Sequence, residues 1–214
     1  SDFTYIPPSV IASFTPISAG AGTTVTITGN YFTGTSSVKF GGVAAQSFTV
    51  VSPTSITAVV GNGASGEVTV TATGGTANFP GFIFIPAPVI ASFTPISTGA
   101  GGTVTITGSD FTGATAVSFG GVAATSFTVN AANTITATVA SGASGDVSVT
   151  TPGGIALKAG FQFIGPAVPV INSFSPLLGP IGTVVTITGA NFSLVPADNI
   201  VYFGAVKGVV SAST

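Results

Sequence analysis

Short segments of this sequence alternate strictly between apolar and polar residues. Thr24–Thr28 places valine and isoleucine between three threonines, and Glu67–Thr71 places two valines between polar residues. A period of two predicts half-buried β-strands whose valines and isoleucines face a core while their threonines face water. Glycine, proline, serine and threonine separate these segments, which predicts tight turns between short strands.

A repeat of 79 residues organises the chain. Val10–Ser18 is identical to Val89–Ser97, and about two-thirds of the positions that follow are the same in both copies. A third copy opens at Val170 and stops halfway, while Phe3–Pro7 aligns with the end of a copy, Phe82–Pro86. We therefore expect the first and last units to be incomplete and the native polypeptide to continue in both directions. The predicted domains are the last strand of a preceding unit (1–7), repeat 1 (8–86), repeat 2 (87–166) and the first half of repeat 3 (167–214).

Each full repeat has the strand content of a two-layer sandwich. The seven strands predicted for repeat 1 are Ser9–Thr15, Thr23–Gly29, Ser36–Phe40, Ser47–Val51, Ser55–Val60, Glu67–Thr73 and Gly81–Ile85. Seven short strands per repeat are typical of immunoglobulin-like domains. A meandering barrel or a propeller blade is the competing architecture, but a blade has four strands in about 40–50 residues and the sequence shows no half-period. The predicted fold class is therefore all-β, in tandem immunoglobulin-like sandwiches.

The connections between the repeats are short and contain proline. They fall at Pro7–Pro8, Pro86–Pro88 and Pro166–Pro169. Because proline restricts its own φ angle, such linkers limit bending between neighbouring domains. We expect a semi-rigid rod, with each repeat in contact with its neighbours in the same chain.

A set of motifs recurs in register in the repeats and resembles the IPT/TIG family. In repeat 1 these motifs are Ile11–Pro16, Val25–Phe32, Val38–Val43, Ile56–Val60, Gly66–Val70, Gly74–Gly75 and Phe82–Phe84. The resemblance implies the immunoglobulin-like fold shared by plexins, some transcription factors and many bacterial surface proteins. Tandem, nearly identical copies are similar to those of bacterial or archaeal cell-surface proteins and adhesin stalks. The chain departs from the plexin type because it has no cysteine, and from DNA-binding members because it lacks basic loops.

Charge is scarce, which excludes several kinds of partner. Only 4% of the residues are charged, and the three bases, Lys39, Lys158 and Lys207, leave a net charge of −2. Three lysines cannot neutralise a run of phosphates or hold an anionic membrane surface, so we predict no nucleic-acid partner. Glycine, proline, serine or threonine interrupts every apolar run, so we also predict no direct membrane insertion.

The sequence offers little catalytic or metal-binding chemistry. It has no histidine and no cysteine, so a Ser-His-Asp or Cys-His nucleophile is not available in this segment. Paired carboxylates could serve as acid and base, but the acids are scattered over different units. They are Asp2, Glu67, Asp110, Asp146 and Asp198. We predict no catalytic, cofactor-binding or metal-binding residue, no cofactor and no enzymatic activity. Glu67 and Asp146 are interpreted as solvated strand ends, and Asp110 as part of a turn.

Two functions from different classes remain open. The first is a structural spacer or stalk of an extracellular, cell-surface protein or adhesin. Strand edges without lysine to protect them also allow assembly into a homo-oligomer or filament by lateral or end-to-end contacts. The second is a glycan-binding or accessory module of a secreted polysaccharide-processing protein. The exposed aromatics considered as sugar platforms, Tyr5, Tyr31 and Tyr202, are not equivalent among repeats and are interpreted as core or junction packing.

Overall fold

The computed structural model describes residues 5–213. Within this range the chain is almost entirely β-structure and contains no α-helix, and no helix is long and apolar enough to cross a membrane. The described residues form two compact units, one ending at Ile164 and one beginning at Gly165. Four of the seven residues predicted as the last strand of a preceding unit lie outside the described range, and Tyr5–Pro7 form no strand.

Repeat 1 folds as two packed sheets. Its strands are β1 (Val10–Thr15), β2 (Ser18–Ala19), β3 (Thr24–Asn30), β4 (Ser37–Phe40), β5 (Val43–Ala44), β6 (Ser47–Ser52), β7 (Ser55–Val59), β8 (Gly66–Ala72) and β9 (Gly75–Phe84). One sheet has four strands in the order β1-β3-β7-β6, and the other has five in the order β2-β9-β8-β4-β5. All pairs are antiparallel except the β2–β9 pair, which is parallel.

Repeat 1 contains two strands that the periodicity did not predict, and its last strand is longer than predicted. The strands β2 and β5 have two residues each, too few to show a period of two. The prediction for the last strand began at Gly81, whereas β9 begins at Gly75. Pro80 and Gly81, which has φ 101°, interrupt the apolar pattern, and the β8–β9 register shifts close by, between Gly66 and Val68. Turn-forming residues therefore lie inside a continuous strand at an irregularity of the sheet.

The core of repeat 1 is the space between the two sheets. The alternating apolar residues predicted to face inward do so, and Val25, Ile27, Val68 and Val70 are fully buried. Four phenylalanines form a chain of ring contacts across the core. Phe14 meets Phe79 edge-on at 5.7 Å between centroids, and Phe82 lies 6.2 Å from Phe14 and 4.8 Å from Phe40. Aromatic pairs at such distances add to the stability that burial provides.

Repeat 2 has the same architecture. Its strands are β10 (Val89–Thr94), β11 (Ser97–Thr98), β12 (Thr103–Ser109), β13 (Ala116–Phe119), β14 (Val122–Ala123), β15 (Ser126–Ala131), β16 (Thr134–Thr138), β17 (Gly145–Thr151) and β18 (Gly154–Phe163). The two sheets have the orders β10-β12-β16-β15 and β11-β18-β17-β13-β14. A separate core forms between them. Both repeats therefore bury their own apolar residues.

The second compact unit consists of two hairpins. Its elements are β19 (Val170–Ser175), β20 (Thr186–Ala190), a single 3-10 turn (Pro196–Asp198), β21 (Tyr202–Phe203) and β22 (Val206–Lys207). Ile171 and Phe174 are 59% and 46% exposed, whereas their equivalents Ile11 and Phe14 are each 7% exposed. In repeat 1 strands β8 and β9 belong to the sheet that covers these positions, and no equivalent strands occur among the described residues of this unit.

Candidate functional site

The four acids among the described residues lie on different structural elements. Glu67 and Asp146 are exposed residues near the starts of β8 and β17, Asp110 follows β12, and Asp198 lies in the 3-10 turn. Asp2 lies outside the described residues. Between Tyr5 and Ser213 no group of three or more acids, histidines or cysteines could hold a metal ion. Glu67, Asp110, Asp146 and Asp198 therefore form no metal-binding group within the described range.

The outer surface of the four-stranded sheet is uncharged and carries an array of hydroxyl groups; in repeat 1 Val59 also lies on it, between Thr24 and Ser47. In repeat 1 the array consists of Ser13, Thr15, Thr24, Thr26, Thr28, Ser47, Thr49, Ser52, Ser55 and Thr57. Cross-strand neighbours bond to each other, as in the pair Ser13 Oγ and Thr28 Oγ1 at 2.6 Å. Repeat 2 keeps a hydroxyl at every equivalent position except that of Ser52, where Ala131 stands. Hydroxyl groups thus hydrate a surface that has no charge.

The five-stranded sheet carries the charges and differs between repeats. In the first compact unit every charged residue on a described strand lies in this sheet, namely Lys39, Glu67, Asp146 and Lys158. Repeat 2 replaces Thr76 and Asn78 of repeat 1 by Ile155 and Leu157, which are 64% and 65% exposed. Since the two copies share most of their sequence, this surface distinguishes them.

A shallow depression lies on this surface of repeat 2. Its lining residues are Ser118, Gly120, Gly121, Ser144, Gly145, Asp146, Ser148 and Leu157. The Oγ atoms of Ser118 and Ser148 are 2.6 Å apart, so one hydroxyl donates to the other. Ser144 Oγ accepts a 2.9 Å hydrogen bond from the Phe163 amide. The depression combines a carboxylate, hydroxyls and an exposed aliphatic side chain.

Each repeat places a non-glycine residue in the left-handed region directly after the strand that pairs with its first strand. Tyr31, Asp110 and Asn191 occupy this position with φ angles of 61°, 59° and 62°. Asparagine and aspartate tolerate this conformation better than other side chains. Asn191 also donates from Nδ2 to the Val168 carbonyl at 2.9 Å, tying the turn to the linker before its repeat. Asp110 therefore serves the turn, as predicted.

The three tyrosines proposed as core or junction residues are exposed instead. Tyr5, Tyr31 and Tyr202 are 70%, 53% and 60% exposed. Tyr31 lies at a surface turn and Tyr202 in a two-residue strand of the second unit, so neither is buried in a core. They occupy unrelated positions in the fold, so they form no repeated aromatic platform.

The linker between repeats 1 and 2 fits against a glycine turn of repeat 2. Residues Ile85–Pro88 join β9 to β10, and the turn Pro152–Gly154 joins β17 to β18. A Cβ atom placed on Gly153 would overlap the Pro86 carbonyl oxygen, and one on Gly154 would lie 3.3 Å from the Ala87 Cβ. Gly153 is buried. The sequence predicts tight turns where glycines separate the strands, but it gives no sign that these two glycines touch the linker.

Repeat 1 contacts the same turn from the other side. A Cβ atom on Gly20, which directly follows β2, would lie 2.6 Å from the Gly153 carbonyl oxygen and 2.8 Å from its Cα. Gly20 is buried, whereas its equivalent Gly99 in repeat 2 is half-buried. The two repeats thus approach each other backbone to backbone.

The architecture described above is that of tandem immunoglobulin-like sandwiches. The family model for the IPT/TIG domain matches residues 9–82, 88–162 and 169–214, and the chain therefore belongs to the IPT/TIG family. The family predicted from the recurring motifs is confirmed. A search of the curated proteins finds no match for this chain.

The solved structures that match this chain share little sequence with it. A surface glycan-binding protein, SGBP-B, from a xyloglucan utilization locus of Bacteroides uniformis is 21% identical over 80% of this chain and 58% of its own, with a TM-score of 0.37. The surface glycan-binding protein PbSGBP-B from Prevotella bryantii is 19% identical over 80% of this chain and 44% of its own, with a TM-score of 0.34. The plexin A4 extracellular region is 22% identical over 81% of this chain and 17% of its own, with a TM-score of 0.41. The chain thus spans between a sixth and three-fifths of these proteins.

Proposed function

We propose that this chain is a non-catalytic spacer segment of an extracellular, cell-surface protein. The observation that carries the proposal is the arrangement of two complete cores in series. Each core closes within its own repeat, and only Ile85–Pro88 separate β9 from β10. Stability in such an array comes from each repeat and from the contacts with its neighbours, so length can change by whole repeats. The spacer holds other parts of a larger protein at a set distance.

A series of proteins with inserted repeats tests the spacer. Extra copies of residues 89–167 are placed between repeat 2 and Val168, and the maximum dimension of each protein is measured by small-angle X-ray scattering. A spacer lengthens by a constant increment with every added copy. Compaction, or an increment that falls as copies are added, contradicts the proposal.

Assembly into a filament is part of the same proposal. The edge strands β6 and β15 carry no lysine, glutamate or proline, the residues that usually discourage pairing between sheet edges. Lateral pairing of these strands predicts a weight-average mass that rises with concentration in sedimentation equilibrium. Replacing Thr49 and Thr128 by lysine should abolish that rise. A monomeric mass at every concentration excludes the filament and leaves the spacer intact.

The depression of repeat 2 favours a second candidate, a glycan-binding accessory role. Two of the solved structures named above, from Bacteroides uniformis and Prevotella bryantii, are described as surface glycan-binding proteins. The depression offers groups that can contact a neutral sugar: hydroxyls, the Asp146 carboxylate and the exposed Leu157. Titration calorimetry with neutral β-glucan oligosaccharides tests it. The variant S118K/L157N carries the residues of repeat 1 at these positions, so its fold should survive. Binding that the variant retains, or no binding by the unmodified chain, excludes this site.

A further inference from the structure

We infer that the glycine turn of one repeat is a docking surface for the repeat before it, which fixes the two as a single rigid body. The surface consists of Gly153 and its neighbours in the turn between β17 and β18. Its partner is a preceding IPT/TIG repeat that has glycine directly after its second strand. The inference deepens the proposed spacer function and rests on it, because a fixed angle between repeats matters for a segment that sets a distance.

The burial of Gly20 shows that repeat 2 covers this part of repeat 1. The atoms closest to a Cβ on Gly20 all belong to Gly153, at 2.6 to 2.9 Å. At Gly99, the equivalent position in repeat 2, the closest atom is the Ile164 carbonyl oxygen of the same repeat, at 2.8 Å. The nearest collisions of a methyl group on Gly20 are therefore with the neighbouring repeat. The contact also joins main chains, so no flexible side chain can move aside to relieve the collision.

Gly153 is held in place by its own repeat and by the linker. Its amide donates a 3.2 Å hydrogen bond to the Thr151 hydroxyl, and Thr151 is 6% exposed. On the other side, a Cβ on Gly153 would overlap the Pro86 carbonyl oxygen and lie 3.0 Å from the Ile85 carbonyl oxygen. The turn is thus enclosed between Gly20 of repeat 1 and the linker.

The linker is fixed to repeat 1 by strand pairing. The Ile85 amide donates to the Ala19 carbonyl at 3.0 Å, and the Ile83 amide donates to the Ile17 carbonyl at 2.9 Å. Contacts therefore run in a closed circuit from Ala19 to Ile85, from the linker to Gly153, and from Gly153 back to Gly20. A change of angle between the repeats has to break one part of this circuit.

The attachment of a linker to the repeat that follows it occurs in repeat 1 as well. A Cβ on Gly74 would overlap the Pro7 carbonyl oxygen, and one on Gly75 would lie 3.5 Å from the Pro8 Cβ. Ser9 Oγ donates to the Gly75 carbonyl at 3.1 Å, and Ser9 is 5% exposed. The same turn therefore seats the linker in both repeats, and Gly153 in addition meets a neighbouring repeat.

Distance measurements between spin labels test the docking. The chain has no cysteine, so Thr49→Cys and Thr128→Cys allow one exposed label in each repeat, and pulsed electron spin resonance gives the distribution of distances. We expect one narrow distribution for the otherwise unmodified chain. Gly20→Ala should widen it about twofold or more, because an undocked four-residue tether leaves many orientations open. Gly165→Ala, whose Cβ meets no atom within 4 Å, should leave it narrow.

Two further measurements separate docking from loss of the fold. Hydrogen exchange at the core amides of Ile27 and Ile106 should be unchanged in Gly20→Ala. Gly74→Ala disturbs a linker seat outside the junction between repeats 1 and 2, so it should keep the distribution narrow while Gly153→Ala widens it. A broad distribution in the unmodified chain, or a narrow one in Gly20→Ala with both cores intact, overturns the docking. The repeat-insertion series could still succeed after that result, because separate flexible repeats also lengthen a chain.

If Gly20→Ala does not fold, nitrogen relaxation in the unmodified chain decides the question. Docked repeats tumble together, so the rotational correlation times obtained from repeat 1 and from repeat 2 should agree. Different correlation times, or values close to that of an isolated 79-residue domain, overturn the proposal.

Discussion

Tyr31 is the residue whose replacement should most clearly stabilise the protein. A tyrosine in the left-handed conformation is roughly 1–2 kcal/mol less stable than one in the right-handed helical or extended conformation, and the difference is smaller for asparagine. In the third copy Asn191 bonds to the Val168 carbonyl, and Pro8 is the equivalent acceptor in repeat 1. That bond contributes about 1 kcal/mol net. Removing a ring that is 53% exposed costs about 1 kcal/mol of apolar burial. Tyr31→Asn should therefore raise the unfolding free energy by about 1 kcal/mol.

Differential scanning calorimetry measures this change. A gain of about 1 kcal/mol raises the midpoint of a domain of this size by about 4–8 °C, or by about 2–4 °C if repeats 1 and 2 unfold together. Asp110→Asn is the matched control, since both residues tolerate the conformation, and it should change the midpoint by less than half as much. Asp110→Tyr should lower the midpoint of repeat 2. An unchanged or lowered midpoint in Tyr31→Asn refutes the reasoning. The free energy of the backbone strain would then be no larger than the free energy that the contacts of the tyrosine ring contribute.

Three further substitutions test the packing. Phe79→Lys, which introduces the residue that repeat 2 has at this position, should cost repeat 1 about 1–2 kcal/mol in urea unfolding through the loss of one ring contact and part of its burial. A cost below the error of the measurement would contradict that estimate. Gly108→Ala should cost about 2 kcal/mol or more in the same assay, since its Cβ overlaps the Val89 carbonyl oxygen; tolerance would show that β10 and β12 can separate at this position. A double-mutant cycle on Ser92 and Thr107, whose hydroxyls are 2.6 Å apart, should give a coupling below about 1 kcal/mol because the pair is exposed; a larger value would mean that the hydroxyl array adds to stability.

The sequence predicted the family and the core because both depend on local patterns. The residues Val25 and Ile27 alternate with threonine, and the structure buries both completely. Strand β9 was only partly predicted, since Pro80 and Gly81 interrupt its pattern. The two-residue strands β2 and β5 were missed because pairing with distant segments, and not their own composition, makes them strands.

The contacts around the linker could not be derived from the sequence. The residues Gly20 and Gly153 are 133 positions apart, and a glycine next to a turn gives no indication of which distant main chain it will meet. The depression of repeat 2 depends similarly on strand order, which brings Ser118 opposite Ser148 and Ser148 opposite Leu157. Such sites arise from tertiary arrangement, whereas their individual residues look ordinary.

The parallel pair β2–β9 determines how a repeat responds to tension. Stretching the chain pulls β2 towards the amino end and β9 towards the carboxyl end, along the axes of two strands that run side by side. Their hydrogen bonds, including that from the Ile83 amide to the Ile17 carbonyl, are then sheared together instead of being peeled apart one after another. Repeat 2 has the same arrangement, with the Gln162 amide bonded to the Ile96 carbonyl. Both complete repeats therefore oppose a pull between their two ends with hydrogen bonds that are loaded in shear.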